Sequence, residues 1–202
     1  MHGDIYDGLD LMPLDMQGWN GDSPIFSEMV DLLSPKTIIE VGSWKGLSTM
    51  NMVNSLRQRG LVSKIYCVDT WLGGLEHMTW PEFGRFYRNG YPQLYYQFIS
   101  NVVHNSAQDY VVPVPNTSTI GAKYLLNAGV RAEMIYVDAS HEEDDVYADL
   151  IEYSKLILQG GIIFGDDYNQ HWQGVINAVR RFSSEKDMKY TVHYNNFWSF
   201  QF

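Results

Sequence analysis

Short β-branched runs alternate along the chain with longer stretches in which apolar residues recur every three or four positions, a pattern of strands and amphipathic helices taken in turn. Residues 37–41 (TIIEV) predict a buried strand ending at Gly42. Residues 47–59 follow as a helix with Leu47, Met50, Val53 and Leu56 on one face. Residues 64–69 (KIYCVD) and 110–114 (YVVPV) predict two more strands, and 120–128 a helix that Gly129 stops. A fourth strand is expected at 133–138 (EMIYVD), a helix at 142–158 closed by Gly160 and Gly161, and a fifth strand at 162–165. Residues 175–185 read as helix, and 190–194 with 197–202 as a terminal hairpin around Asn195-Asn196.

Strand and helix in alternation imply an α/β fold: a mostly parallel sheet with right-handed crossovers on both faces, finished by a C-terminal antiparallel hairpin. Two segments stand outside this pattern. Residues 1–23 form an N-terminal arm leading into a helix near 24–33, and residues 71–106 form a long insertion after the second strand. With 202 residues, 45% of them hydrophobic, the chain has material for one domain spanning 1–202. Fourteen Lys and Arg against 24 Asp and Glu leave a net charge of −10, which repels phosphate backbones and argues against a nucleic-acid partner. There is no polybasic patch for a membrane surface and no apolar run near the ~20 residues of a membrane span. Cys67 is the only cysteine, so neither an intrachain disulfide nor a cysteine zinc cage can form. The opening Met-His-Gly-Asp lacks the basic-then-apolar pattern of a signal peptide, and the expectation is a soluble, cytoplasmic domain.

Ligands of open parallel sheets bind beyond the carboxyl ends of the strands, so the residues that end each strand carry the chemistry. The first strand ends Glu40-Val41-Gly42-Ser43-Trp44-Lys45-Gly46. Glycines there let the backbone turn tightly and approach a ligand, although an ordinary strand-to-helix turn has the same composition, and the spacing is not the dinucleotide GxGxxG. The second strand ends in Asp69, 27 residues after Gly42, suited either to a two-point grip on a ribose diol or to a turn. Asp138 ends the fourth strand, Asp166 and Asp167 the fifth. Neighbouring strands lie ~5 Å apart, so these carboxylates can converge, and converging like charges need a proton or a cation between them. Oxygen-only ligands favour Mg²⁺ or Mn²⁺ over zinc; a helix cap at Asp138 and a solvated turn at 166–167 are the structural alternatives. His141 lies three residues after Asp138 at the start of a helix, with Ser140 as N-cap and Glu143 as its capping-box partner, and an imidazole there suits a general base.

The E-x-G-x-x-x-G turn, the acid after the second strand and the closing hairpin resemble the class I S-adenosylmethionine-dependent methyltransferases. That resemblance implies a Rossmann-like, seven-stranded sheet in the order 3-2-1-4-5-7-6 with the last strand antiparallel. It also implies that Glu40, Gly42, Ser43 and Gly46 border the methionine part of the cofactor, Asp69 and Thr70 the ribose, Asn116 and Ser118 the adenine, with Asp138 alongside. The D-x-x-H after strand four and the Asp-Asp-Tyr after GGIIFG resemble the metal-dependent sugar O-methyltransferases of the macrocin and mycinamicin type. This narrower resemblance implies a divalent metal (Mg²⁺ or Mn²⁺) on Asp138, Asp166 and Asp167. It makes His141, with Asp138, the catalytic pair, and the acceptor a sugar hydroxyl in a glycan or glycoside. A likeness to methyltransferase domains of chlorovirus glycan-building chains implies a terminal rhamnose as acceptor, and either a homo-oligomer or a domain of a larger chain.

The insertion is dense in aromatic residues: Trp71, His77, Trp80, Phe83, Phe86, Tyr87, Tyr91, Tyr95, Tyr96 and Phe98. Sugars present apolar C–H faces, so Trp71, Trp80 and Tyr91, together with Tyr168, are acceptor candidates, although packing onto the sheet would need the same rings. Gly73-Gly74, Gly84 and Gly90 supply hinges for a lid. Trp19 and Asn20 of the arm are further candidates, and Arg85 and Arg88 either meet a phosphate or face water. Rival readings are a catechol-type O-methyltransferase on the same fold and a catalytically silent cofactor-binding module. An NAD-dependent oxidoreductase is a third, opposed by the glycine spacing.

Overall fold

The computed structural model of the chain describes residues 5–80 and 86–202. Phe83, Gly84 and Arg85 of the expected lid lie outside them. Seven strands build the main sheet: β1 (Thr37–Val41), β2 (Lys64–Asp69), β3 (Val111–Pro115), β4 (Ala132–Val137), β5 (Ile157–Gly165), β6 (Tyr190–His193) and β7 (Phe197–Gln201). Their order is β3-β2-β1-β4-β5-β7-β6, the order implied by the resemblance to class I methyltransferases. All neighbours are parallel except β7, which runs against both β5 and β6. The turn into β7 centres on Tyr194 and Asn195, both at positive φ (53° and 55°), one position earlier than expected.

Six helices cover the sheet: α1 (Ile25–Leu33), α2 (Leu47–Gln58), α3 (Leu94–His104), α4 (Ser118–Asn127), α5 (Glu143–Tyr153) and α6 (Gln173–Lys186). Alternation along each strand divides the core into two layers. Ile38, Ile65, Met134 and Phe164 pack with α1, α2 and α3 through Phe26, Val53, Leu56 and Phe98. Ile39, Val68, Ile135 and Ile163 pack with α4, α5 and α6 through Leu125, Leu150 and Val179. Covered on both faces, these strands read as continuous apolar runs. No helix among the described residues is long and apolar enough to cross a membrane.

Three expectations are corrected. Nearly a third of the supposed insertion is the regular crossover helix α3, whose Leu94, Phe98 and Val102 are buried at helical spacing. Its stripe is masked in the sequence because Gln97, Ser100 and Asn101 on the same side are buried too. The helix after β4 stops at Tyr153, and Gly160-Gly161 lie inside β5 rather than after a helix. Ala132 pairs with Ile157 while Met134 pairs with Ile162, so β5 bulges between them; Gly160 takes φ +83° and its N–H donates to the Phe202 carbonyl at 2.6 Å. Finally, Ser140 does not cap α5. The N-cap is Glu142, the Ser140 hydroxyl donates to Asp145 (2.8 Å), and Glu143 accepts from Asn177 (2.9 Å).

Candidate active site

A cavity of about 520 Å³ lies beyond the carboxyl ends of β1 to β5, a size suited to small ligands. Its floor is the turn after β1. Gly42 sits at φ +86°, and a Cβ there would fall 2.0 Å from the Asp138 carbonyl oxygen, so the turn can cross the end of β4 only as glycine. Beneath it Glu40 is fully buried, accepting hydrogen bonds from the hydroxyls of Ser43 (2.9 Å), Ser48 and Thr49. Burial pushes its carboxyl above the usual range, and these hydroxyls oppose that. Asp69 accepts the backbone N–H groups of Ser43 and Trp44 on Oδ2 (both 2.9 Å) and of Trp71 on Oδ1 (2.7 Å). It thereby ties the β1 turn to the segment after β2. Burial raises its carboxyl above the usual range, and these N–H groups, with that of Thr70, oppose the rise.

The strand-end acids converge at one wall. Donor atoms of Asp138, His141 and Asp167 lie within 4.8 Å of one another. His141 Nε2 is 2.8 Å from Asp167 Oδ2, and its ring stacks on Trp172 with centroids 3.7 Å apart. Tyr136 donates to Asp138 Oδ2 at 2.8 Å. Burial, then the charges of Asp166 and Asp167, raise the Asp138 carboxyl well above its ordinary value. Asp166 is pushed up to about 6 by burial and by Asp167. Its Oδ1 is already engaged by the Asp167 N–H (2.7 Å) and the Asn196 amide, and its carbonyl by the Trp198 indole (3.1 Å). The compact trio therefore contains His141 where the sequence suggested Asp166.

The opposite wall comes from the N-terminal arm. Asn101 of α3 donates to the carbonyls of Asp15 (2.7 Å) and Lys45 (2.8 Å) and accepts from the Asp15 N–H (3.1 Å). Buried Lys45 pairs with Asp15 at 2.7 Å, Gln97 donates to the Pro13 carbonyl, and Asn51 donates to the carbonyls of Gly21 and Ser23. Thus fixed, the arm places Trp19 and Asn20 in the cavity lining, with the Asn20 side chain beside Asp166. Trp19 meets Trp44, His77 and Trp80 in a cluster of rings, all four lining the cavity.

Residues 39–168 match the family described as "methyltransferase domain". The chain belongs to that family. Solved structures similar to this methyltransferase domain include an O-methyltransferase from Bacillus cereus in complex with S-adenosylhomocysteine (16% identity, 95% of this chain and 84% of that one covered, TM-score 0.62). Others are TomG from Streptomyces achromogenes in complex with S-adenosylmethionine (15%, 95% and 83%, 0.62) and S-adenosylhomocysteine-bound PaMTH1 from Podospora anserina (14%, 93% and 80%, 0.64). No curated protein matches the sequence.

Of the residues singled out from sequence, Gly42, Ser43, Asp69, Thr70, Asn116, Ser118, Asp138, His141, Asp166, Asp167 and Trp80 line the cavity of the methyltransferase domain. Glu40 and Gly46 lie behind it; Gly46, at φ +89°, abuts the Phe98 ring. Three acceptor candidates stand elsewhere. Trp71 is 2% exposed and is core, its indole donating to the Trp44 carbonyl (2.8 Å). Tyr91 lies 62% exposed on a short hairpin away from the cavity, and Tyr168 meets Tyr190 hydroxyl to hydroxyl at 2.8 Å. Sequence reasoning passed over Trp172 and Asp149. Asp149 is buried in the cavity wall, accepts the Ser118 hydroxyl, and is raised to about 7 by burial. The available signal was an acid on the apolar side of α5, beside Val146, Leu150 and Tyr153.

Proposed function

We propose that the domain transfers the methyl group of S-adenosylmethionine to a sugar hydroxyl, a deoxysugar such as rhamnose, with help from a divalent cation. The observation that carries this reading is the meeting of Asp138, His141 and Asp167 in the wall of the cavity that the glycine turn also floors. The cofactors in the similar structures support S-adenosylmethionine as the donor. Asn116 and Ser118 at the head of α4 would border its adenine, and Gly42 and Ser43 its methionine part.

The carboxylates of Asp138 and Asp167 form an oxygen donor set that suits Mg²⁺ or Mn²⁺, with Asp166 alongside to add charge, and the His141 imidazole beside them serves as base rather than ligand. Held there by Asp138 and Asp167, such an ion would lower the pKa of the acceptor hydroxyl. Asp167 accepts the Nε2 proton of His141 and so leaves Nδ1 with the lone pair. That nitrogen takes the hydroxyl proton as the oxygen attacks the methyl carbon in line. The new C–O bond forms as the methyl–sulfur bond breaks, leaving S-adenosylhomocysteine, a methyl ether and an imidazolium that returns its proton to water. Trp172 stacked on the ring holds its plane.

The test is transfer of labelled methyl to rhamnosides, other deoxysugars and catechols, each with Mg²⁺, Mn²⁺ or EDTA. Metal-dependent labelling of a sugar is expected. Equal labelling in EDTA removes the cation from the reading, and labelling of catechols alone removes the sugar.

A further inference from the structure

The four rings of this cluster form a box beside the acid wall. Trp44 and His77 stack with centroids 4.4 Å apart and planes 17° from parallel, and Trp80 stands across His77 at 4.5 Å and 87°. Trp19 closes a further side, 5.4 Å from Trp80 and 5.7 Å from Trp44. Three separate segments supply these rings: the arm, the β1 turn and the segment after β2. Polar bonds between the arm and α3 hold the box together, and Trp19 remains 50% exposed, so burying its indole is not what fixes the arm. Gly74 N–H donates to His77 Nδ1 at 2.8 Å, which helps fix the ring in the segment after β2. Asn20, next to Trp19, lines the cavity together with Asp166, so the box adjoins the acid wall.

Charge narrows what the box can take. Asp69, Asp138, Asp145, Asp149, Asp166 and Asp167 line the cavity, and among the described residues no lysine or arginine does. The nearby Lys45 is committed to Asp15 and to the face of Phe86. Such a lining opposes phosphates and carboxylates and favours a ligand with apolar C–H faces and hydroxyl edges.

We propose that Trp19, Trp44, His77 and Trp80 form the acceptor subsite, taking the apolar face of an uncharged sugar ring while its hydroxyl edge turns toward Asp138 and His141. This rests on the sugar O-methyltransferase reading above, and it adds the residues that select the acceptor. The test uses the full chain saturated with S-adenosylhomocysteine and methyl rhamnoside as probe, followed by saturation-transfer NMR and titration. Trp19→Ala and Trp80→Ala should each weaken the sugar roughly three- to tenfold, in line with the value of one aromatic contact. S-adenosylhomocysteine affinity should be unchanged, and Trp19→Phe should restore most of the loss. A nucleoside-diphosphate rhamnose should bind more weakly than the glycoside.

Unchanged sugar affinity in both alanine variants overturns the subsite, as does a loss confined to S-adenosylhomocysteine, which would give the box to the cofactor. Tighter binding of the nucleotide sugar overturns the requirement for an uncharged ring, and no saturation transfer to any neutral glycoside overturns the whole. If the sugar binds in the box but no methyl moves, the catalytic reading fails and the subsite stands. If methyl moves with an unchanged acceptor KM in both variants, the reverse holds.

Discussion

His141 lies between two carboxylates and a stacked indole, an environment that fixes both its tautomer and its plane. His141→Ala should lower kcat by about 10²–10⁴, the usual range for a general base, with cofactor affinity intact by calorimetry. Retained turnover would remove the base assignment. Gly42→Ala should be far more damaging than an ordinary loop substitution, because its methyl would meet the Asp138 carbonyl and its φ is positive. A drop in stability of at least about 2 kcal/mol in urea titration is expected. Asp149 has a pH signature. Its carboxyl rises from 3.8 in the unfolded chain to about 7 when folded, so between these values the folded state keeps a proton that the unfolded state has released. Its contribution therefore falls as pH rises from about 4 to 7 and is level above, with an upper bound of about 4 kcal/mol. Asp149→Asn should gain stability relative to the parent as pH rises through that window. Parallel stability curves for the two proteins would show that Asp149 titrates normally.

At the scale of elements, the arm and α3 act as one unit. Asn101 alone bridges Asp15, Lys45 and Gln97. Asn101→Ala should cost about 2–4 kcal/mol by stranding buried backbone groups, and should speed hydrogen exchange in residues 12–20 more than in β1 or β4. Uniform loss of protection would mean that the arm is not a separate stapled unit. This is also where the sequence was hardest to read. TIIEV, KIYCVD and EMIYVD are buried on both faces, so the strand runs were legible, as were the acids that end them, while the strand order came from the family resemblance. The polar residues that break the stripe of α3 are the ones that grip the arm, and that purpose is invisible until the partner segment, over 80 residues away, is in place. Likewise Trp71 and Trp80 belong to one aromatic-rich stretch, and only tertiary packing sends the first into the core and the second to the cavity.

For the whole molecule, a net charge of −10 is concentrated in part at the cavity, where six aspartates line the wall without a lysine or arginine among the described residues. A divalent cation held at the proposed site would offset that repulsion in the folded state alone. Mg²⁺ or Mn²⁺ at 100 times its Kd should stabilise the protein by about 2.7 kcal/mol, a rise in Tm of about 5–10 °C for a chain of this size. Its affinity should fall as pH drops through about 6, where Asp166 takes up a proton. A melting curve indifferent to both ions, but moved equally by sodium chloride, would reduce the effect to general screening.

The stapling of the arm to α3 also sets a timetable. During synthesis the arm leaves the ribosome some 85 residues ahead of Asn101, which at about 5–20 residues per second is a wait of roughly 4–17 s. Asn196 and Trp198, which secure Asp166, follow about 95 residues later still. The two walls of the cavity are thus finished at different times, and the earliest-made of these segments must wait for its anchor. A nascent chain halted before α3 should lose its arm to protease sooner than the full-length chain, so the cavity is completed from the arm's wall toward the acid wall.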